Sequence, residues 1–126
     1  MPRSLSLPII AFILAVVGQH PARAHHTFVV KYDGSKTVTI SGTITSVAYA
    51  NPHIHFDVAT KSATWTVETE SIPVARASGF TPDVLKEGAK VTVTGWPARD
   101  GSPEMGAHSI SVAGGGPSAT LRKTAR

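Results

Sequence analysis

Apolar and polar residues alternate through most of the chain beyond residue 36. Val38, Ile40 and Ile44 share one face of a strand that starts at Thr37. The phase then flips, because Val47 and Tyr49 stand at odd positions. A flip inside one long strand predicts a bulge or sharp bend, eased by Gly42. Asn51-Pro52 ends this strand. Ile54, Phe56 and Val58 alternate with His53, His55 and Asp57 in a second strand. Trp65, Val67 and Thr69 alternate with Thr66, Glu68 and Glu70 in a third. Thr60–Ala63 is the turn of the hairpin they form. Ser71 is the expected N-cap of a short helix over Ile72–Ser78, with Pro73 in its first turn and Gly79 just past its end. Lys90–Trp96 and Met105–Val112 read as the fourth and fifth strands.

The order is three strands, a short helix and two more strands, with the first strand long and bent. That is the element order of the OB-fold, a five-stranded Greek-key barrel. The fold class expected is therefore all-β with one short helix, a small OB-fold-like barrel. A two-layer β sandwich with the same hairpins is the alternative. Closure also removes sheet edges, an advantage in a domain this small. Trp65 is expected to fill the core. Trp96 shares its phase with Thr92 and Thr94 and is expected on the surface, as the wall of a groove.

Residues 1–24 carry a different pattern. Arg3 is followed by the apolar run Leu7–Val17 and then by Ala22-Arg23-Ala24. The run is shorter than the roughly 20 residues a bilayer-spanning helix needs. Its flanks fit a secretory signal cut after Ala24. The expected organisation is a signal at 1–24, a barrel over 25–113, and a flexible basic tail over 114–126 that begins at Gly114-Gly115-Gly116. The protein is then periplasmic or secreted, with no stable membrane insertion after cleavage.

The net charge of +4 changes little. Its basic excess sits in Arg3, Arg23, Arg122, Lys123 and Arg126, at the two ends rather than on a face of the barrel. No nucleic-acid partner is expected. With no Cys, a thiolate metal site and a disulfide are excluded.

Short pieces recur in a recognisable order: His25-His26-Thr27-Phe28, Tyr32-Asp33, Gly42-Thr43, Asn51-Pro52-His53, Trp65-Thr66-Val67-Glu68, Gly79-Phe80-Thr81, Leu85-Lys86-Glu87-Gly88 and Asp100-Gly101-Ser102. Together they resemble a family of small exported bacterial proteins known as a domain of unknown function. Mature chains of that family begin His-His-Ser-Phe and carry Asn-Pro-His. This chain departs at Phe80, where Trp is expected, at His108, where Arg is expected, and in its Gly-rich tail. The resemblance implies export and a β-rich domain, and no reaction.

Histidines carry the remaining chemistry. His53 and His55 are two apart on a strand, so they share a face, opposite Ile54 and Phe56. Keeping the apolar faces of the hairpin together pairs His55 with Glu68, His53 with Glu70 and Asp57 with Thr66. One reading is a pair of ordinary His–Glu contacts. The other is a transition-metal site, since imidazole suits copper, zinc and nickel. Cleavage after Ala24 would leave His25 with a free α-amine beside its imidazole, a two-nitrogen chelate, and His26 adds another ring. Phe28, Val29 and Val30 would anchor this end if it packs on the barrel. His108 shares its phase with Ile110 and Val112 and reads as a partly buried, hydrogen-bonded residue. No G-x-S-x-G, Walker A or H-E-x-x-H motif is present, and no catalytic residues are assigned.

The expected function is an exported small binding protein. Its ligand is a transition metal, copper first or else zinc, at His25, His26, His53, His55 and Glu68. The alternative is a non-catalytic adaptor for a peptide, glycan or cell-envelope partner on the second and third strands, with Trp96 at the rim.

Overall fold

The computed structural model describes residues 22–125, with side chains from Thr27 onward. The elements are α1 (Ala22–Lys31), β1 (Val38–Ala48), β2 (His55–Ala59), β3 (Thr64–Glu68), α2 (Ile72–Ala77), β4 (Lys90–Pro97), β5 (Glu104–Val112) and β6 (Ser118–Thr120). The sheet runs β3-β2-β1-β4-β5-β6. A parallel seam closes it, with Thr66, Val67 and Glu68 of β3 beside Glu104, Met105 and Gly106 of β5. The result is a closed five-stranded, OB-fold-like barrel, with β6 added outside the ring.

The long first strand bends where its pattern flips. Ile44 pairs with Val58 and Ser46 with Asp57, so the β1–β2 register shifts between Ile44 and Ser46. The shift lets β1 serve both β2 and β4. Ile44, Phe56, Val58, Val67, Val93 and Met105 fill the barrel. Burying apolar side chains of this size contributes about 1.5–3 kcal/mol each.

The short helix α2 lies between β3 and β4, as the pattern predicts. Ser71 stands at its N-cap, as expected, but its side chain makes no capping bond. Asn51 Oδ1 instead accepts the Ile72 N–H at 3.0 Å. The helix ends on Gly79 at φ 88°, with Gly79 N–H donating to Arg76 O and Phe80 N–H to Ala75 O. This is the Schellman pattern, which favours glycine because of the positive φ.

Three expectations are corrected. The first concerns the tryptophans. Trp96 is 7% exposed, whereas Trp65 is half-buried at the rim of the core. Trp96 does leave the barrel interior, but it meets Phe28, Tyr32 and Ala98 in a second apolar cluster. What covers it is α1, an element the alternation pattern did not predict. Tyr32, the residue after α1, keeps a helical bond to Phe28 O at 3.0 Å, so the two stand one turn apart on one face and both rings reach the barrel. Of the expected anchors only Phe28 is buried; Val29 and Val30 are 36% and 60% exposed.

The second correction concerns His108. Thr94 pairs with Ser109 but Gly95 pairs with Ala107, which leaves His108 as the extra residue of a bulge. The bulge breaks its phase with Ile110 and turns its ring edge-on to Trp96, with centroids 5.5 Å apart. The expected hydrogen bond is missing at Nδ1, which is buried without a partner.

The third concerns the tail. Gly114 and Gly115, at φ 76° and 79°, turn the chain back rather than releasing it. Ser118–Thr120 then pair with β5, and Arg122 is buried at 7% exposure.

Candidate functional site

The site forms where α1 crosses the β3–β5 seam. Glu68 is the last residue of β3 and lies beside Gly106 of β5. Gly106 leaves room for the helix, since a Cβ there would stand 2.2 Å from Phe28 Cζ. Phe28 packs in that notch and meets Trp96 edge-to-face, with ring centroids 6.0 Å apart. The end of α1 is held by Arg99. Its backbone N–H donates to Lys31 O at 3.0 Å, and its Nη2 donates to Val29 O at 3.3 Å. These bonds satisfy carbonyls that a helix C-terminus leaves open.

Glu68 gathers four side chains. Tyr32 donates its hydroxyl to Oε2 at 2.6 Å. His53 Nδ1 donates to Oε1 at 2.8 Å. His55 Nε2 and Lys31 Nζ stand 3.7 Å and 4.0 Å from Oε2. Lys31 also reaches Glu104 Oε2 at 3.6 Å. His55 faces Glu68 across the ladder, the partner its register predicts, and Asp57 faces Thr66. His53 does not face Glu70. It precedes β2, and its side chain swings to Glu68 instead. Glu70 is taken by Arg122, whose Nε lies 2.7 Å from its Oε1.

The electrostatics follow from this crowding. Burial alone would raise the Glu68 carboxyl. Its contacts with His55, Tyr32 and His53, together with the charge of His55, outweigh that and hold it down at about 2. Burial, reinforced by the Glu68 carboxylate, pushes the Tyr32 hydroxyl far above its ordinary range. Glu68 also raises His55, against a smaller opposing effect of burial. The tautomers are set by the same contacts. His53 presents Nδ1–H to a carboxylate. His55 Nδ1 lies 3.1 Å from the His53 carbonyl and so donates to it. In its neutral form each ring then carries its lone pair on Nε2.

Of the five residues expected to bind metal, His53, His55 and Glu68 come together. The side chains of His25 and His26 lie outside the described residues, although their backbone belongs to α1. Among the described residues, no group of three or more His, Asp or Glu is placed to hold a metal ion. Sequence reasoning missed Tyr32 and Lys31. The aromatic pair Phe28 and Tyr32, four residues apart, was the signal that could have found α1 and its contact with Glu68.

The fold and this cluster define a small closed OB-fold-like barrel in which a largely buried carboxylate bridges the end of α1 and two histidines at the start of β2. The chain belongs to a family of unknown function (DUF6152), which it matches over residues 13–108. No curated protein matches it. Among solved structures it is similar to the ZRD-deleted mutant of TiaS in complex with agmatine, at TM-score 0.51 and 16% identity. That match covers 75% of this chain and 28% of the other. It is also similar to the S. pombe Stn1-ten1 complex, at TM-score 0.49 and 18% identity over 60% of this chain and 57% of that one. A third is Rim1, a mitochondrial single-stranded DNA binding protein of S. cerevisiae, at TM-score 0.49 and 16% identity over 62% and 94%. The chain spans only 19% and 28% of the two TiaS chains it matches. Likeness at this identity speaks to the fold alone.

Proposed function

We propose that this is an exported protein that binds a transition-metal ion, copper first and zinc second, without transforming it. His53 and His55, at the start of β2, are two of the ligands, and His25 and His26 complete the set from the N-terminal segment. The observation that supports this reading is the chain of contacts Tyr32–Glu68–His53. A carboxylate on Nδ1–H fixes the ring and leaves Nε2 as donor, the support that metal-binding histidines usually receive. His55 has the same polarity through the His53 carbonyl. Two imidazoles alone make a weak site, so further ligands must come from outside the described side chains. The α-amine and ring of His25, freed by a cut after Ala24, meet that need. Export itself rests on Leu7–Val17 and the Ala22-Arg23-Ala24 site.

The test is calorimetry of the untagged chain beginning at His25, titrated with Cu(II) and with Zn(II) at neutral pH. One saturable equivalent is expected. Adding one residue before His25 should weaken binding at least about tenfold, or 1.4 kcal/mol, and so should His53→Ala with His55→Ala. Absence of saturable binding by the native-ended chain would overturn the metal reading. The adaptor for a peptide, glycan or envelope partner would then stand ahead of it, without Trp96 as its rim.

A further inference from the structure

We infer that the open edge of β1 is a docking site for an extended acidic segment of another protein, which adds to the sheet as one more strand. The site lies at the turn end of the β2–β3 hairpin, away from Glu68, and does not depend on the metal reading.

β1 is flanked on both sides only in part. β4 lies beside Val38 to Thr43 on one side, whereas β2 joins the other side only from Thr43 onward. Among the described residues no strand pairs with that second side over residues 38–41. Ile44 shows which main-chain groups face it. Its N–H donates to Ala89 O and its carbonyl accepts from Gly88 N–H, both at 2.8 Å and both on the β4 side. Main-chain groups along an antiparallel strand alternate between its two sides. Counting back in twos, Gly42 and Ile40 turn theirs to β4, and Ser41 and Thr39 turn theirs to the open side. Two donors and two acceptors thus stand in a row without a strand to meet them.

The β2–β3 hairpin is too short to cover them. Carried on in register, β2 would set Lys61 beside Ser41. The chain turns away first, at Thr60, whose N–H donates to Ala63 O at 2.9 Å and whose Oγ1 accepts the Ala63 N–H at 3.1 Å. A cleft of about 590 Å³ remains between this turn and β1. Val38 and Trp65, both packed on the core, give it an apolar floor. The Thr39 and Ser41 hydroxyls are tied to Thr94 and Thr92 at 2.9 Å, on the far side from the opening.

Charge selects the occupant. A second cleft, of about 670 Å³, shares Ser41, Thr60 and Lys61 with the first and adds Lys90. Both lysines are exposed, and no Asp or Glu lines either cleft. An added strand therefore meets main-chain partners along its edge, Trp65 beneath it and lysines at the rim. Side chains alternate along a strand, so the fitting sequence alternates apolar with acidic residues. A second copy of β1 fits poorly, because a two-fold pairing of these edges brings both Lys61 side chains to one seam.

The experiment is hydrogen exchange and amide-shift NMR on the protein, with a capped eight-residue peptide that alternates valine and glutamate as the probe. In the free protein Thr39 and Ser41 amides should exchange at least about tenfold faster than Ile40. The peptide should saturate, shift these two amides and slow their exchange at least about tenfold. A peptide alternating valine and lysine should bind at least about tenfold more weakly. Ser41→Pro removes an N–H that has no partner in the sheet, a position where an edge strand tolerates proline. It should keep the circular dichroism spectrum and lose at least about tenfold in affinity. Lys61→Glu, on the exposed turn, should do the same, and decides alone if Ser41→Pro fails to fold. Thr39 and Ser41 as protected as Ile40 in the free protein would overturn the open edge. No saturable binding, shifts elsewhere only, or equal affinity for the lysine peptide would overturn the acidic strand.

Discussion

Tyr32 and Glu68 share one proton-bearing contact of 2.6 Å, which ties the segment ahead of the barrel to the end of its third strand. Removing the carboxylate charge while keeping its volume should therefore be felt at both places. Glu68→Gln removes the charge that faces His55 and Lys31 and weakens two short bonds. A loss of about 1–3 kcal/mol is expected. For a domain of this size each kcal/mol lowers Tm by roughly 4–8 °C. Thermal unfolding followed by circular dichroism checks this, and an unchanged Tm would remove Glu68 from its central place.

The same carboxylate predicts a pH profile for the metal-free protein. Its folded pKa, about 2, lies below its ordinary value of 4.5. The stability it contributes is complete above that ordinary value and is lost as pH falls toward about 2. His55 acts with the opposite sign. Its folded pKa lies above 6.5, so its contribution is complete below that value and fades as pH rises through the folded one. From these two groups, stability should peak in mildly acidic solution. Urea midpoints measured across the pH range should show both limbs in the wild type, and Glu68→Gln should flatten both.

The two tryptophans should differ in cost. Trp96→Ala empties a closed cluster against Phe28 and Tyr32 and should cost about 3–5 kcal/mol. Trp65→Ala, at the half-buried rim, should cost less. Acrylamide quenching of single-Trp variants gives a second check, with Trp65 the more accessible fluorophore. An equal cost for both would contradict the placement of α1 over Trp96.

Arg122→Met tests the clasp that Arg122 forms, its guanidinium carbon 4.1 Å from the Phe28 ring centroid and its Nε 2.7 Å from Glu70 Oε1. The pair with Glu70 is largely out of water, with side chains 7% and 15% exposed. Removing one partner of such a pair costs about 3–5 kcal/mol, because the other charge is left stranded. Arg122→Met combined with Glu70→Leu should recover much of that loss. Chemical denaturation of the two variants decides it: equal instability would mean that the guanidinium acts through Phe28 rather than through Glu70.

Much of the barrel was legible in the sequence because its signals are local. Alternation marks the hairpin, and matching its apolar faces pairs His55 with Glu68, the partner it has in the ladder. The phase flip announced the bend in β1. The parts that escaped depend on distant partners. His108 looked in phase with Ile110 until the bulge opposite Thr94 and Gly95 intervened. His53 lies just outside β2, where ladder geometry no longer governs the side chain. Trp96 was assigned the correct side of its strand, yet its cover comes from a helix far away in sequence. The Gly-rich run was read as flexibility, although positive-φ glycines can equally turn a chain back onto a sheet.

The clasp around Phe28 has a consequence for the order of assembly. Apart from Tyr32, the partners that bury this ring are encoded late: Trp96 in β4, Gly106 in β5, and Arg122 after β6. A chain that emerges from the ribosome N-terminus first offers α1 no barrel surface until nearly all of it has been made. Contacts so distant in sequence also form slowly. Among the described elements, the helix is thus the first made and the last that can settle.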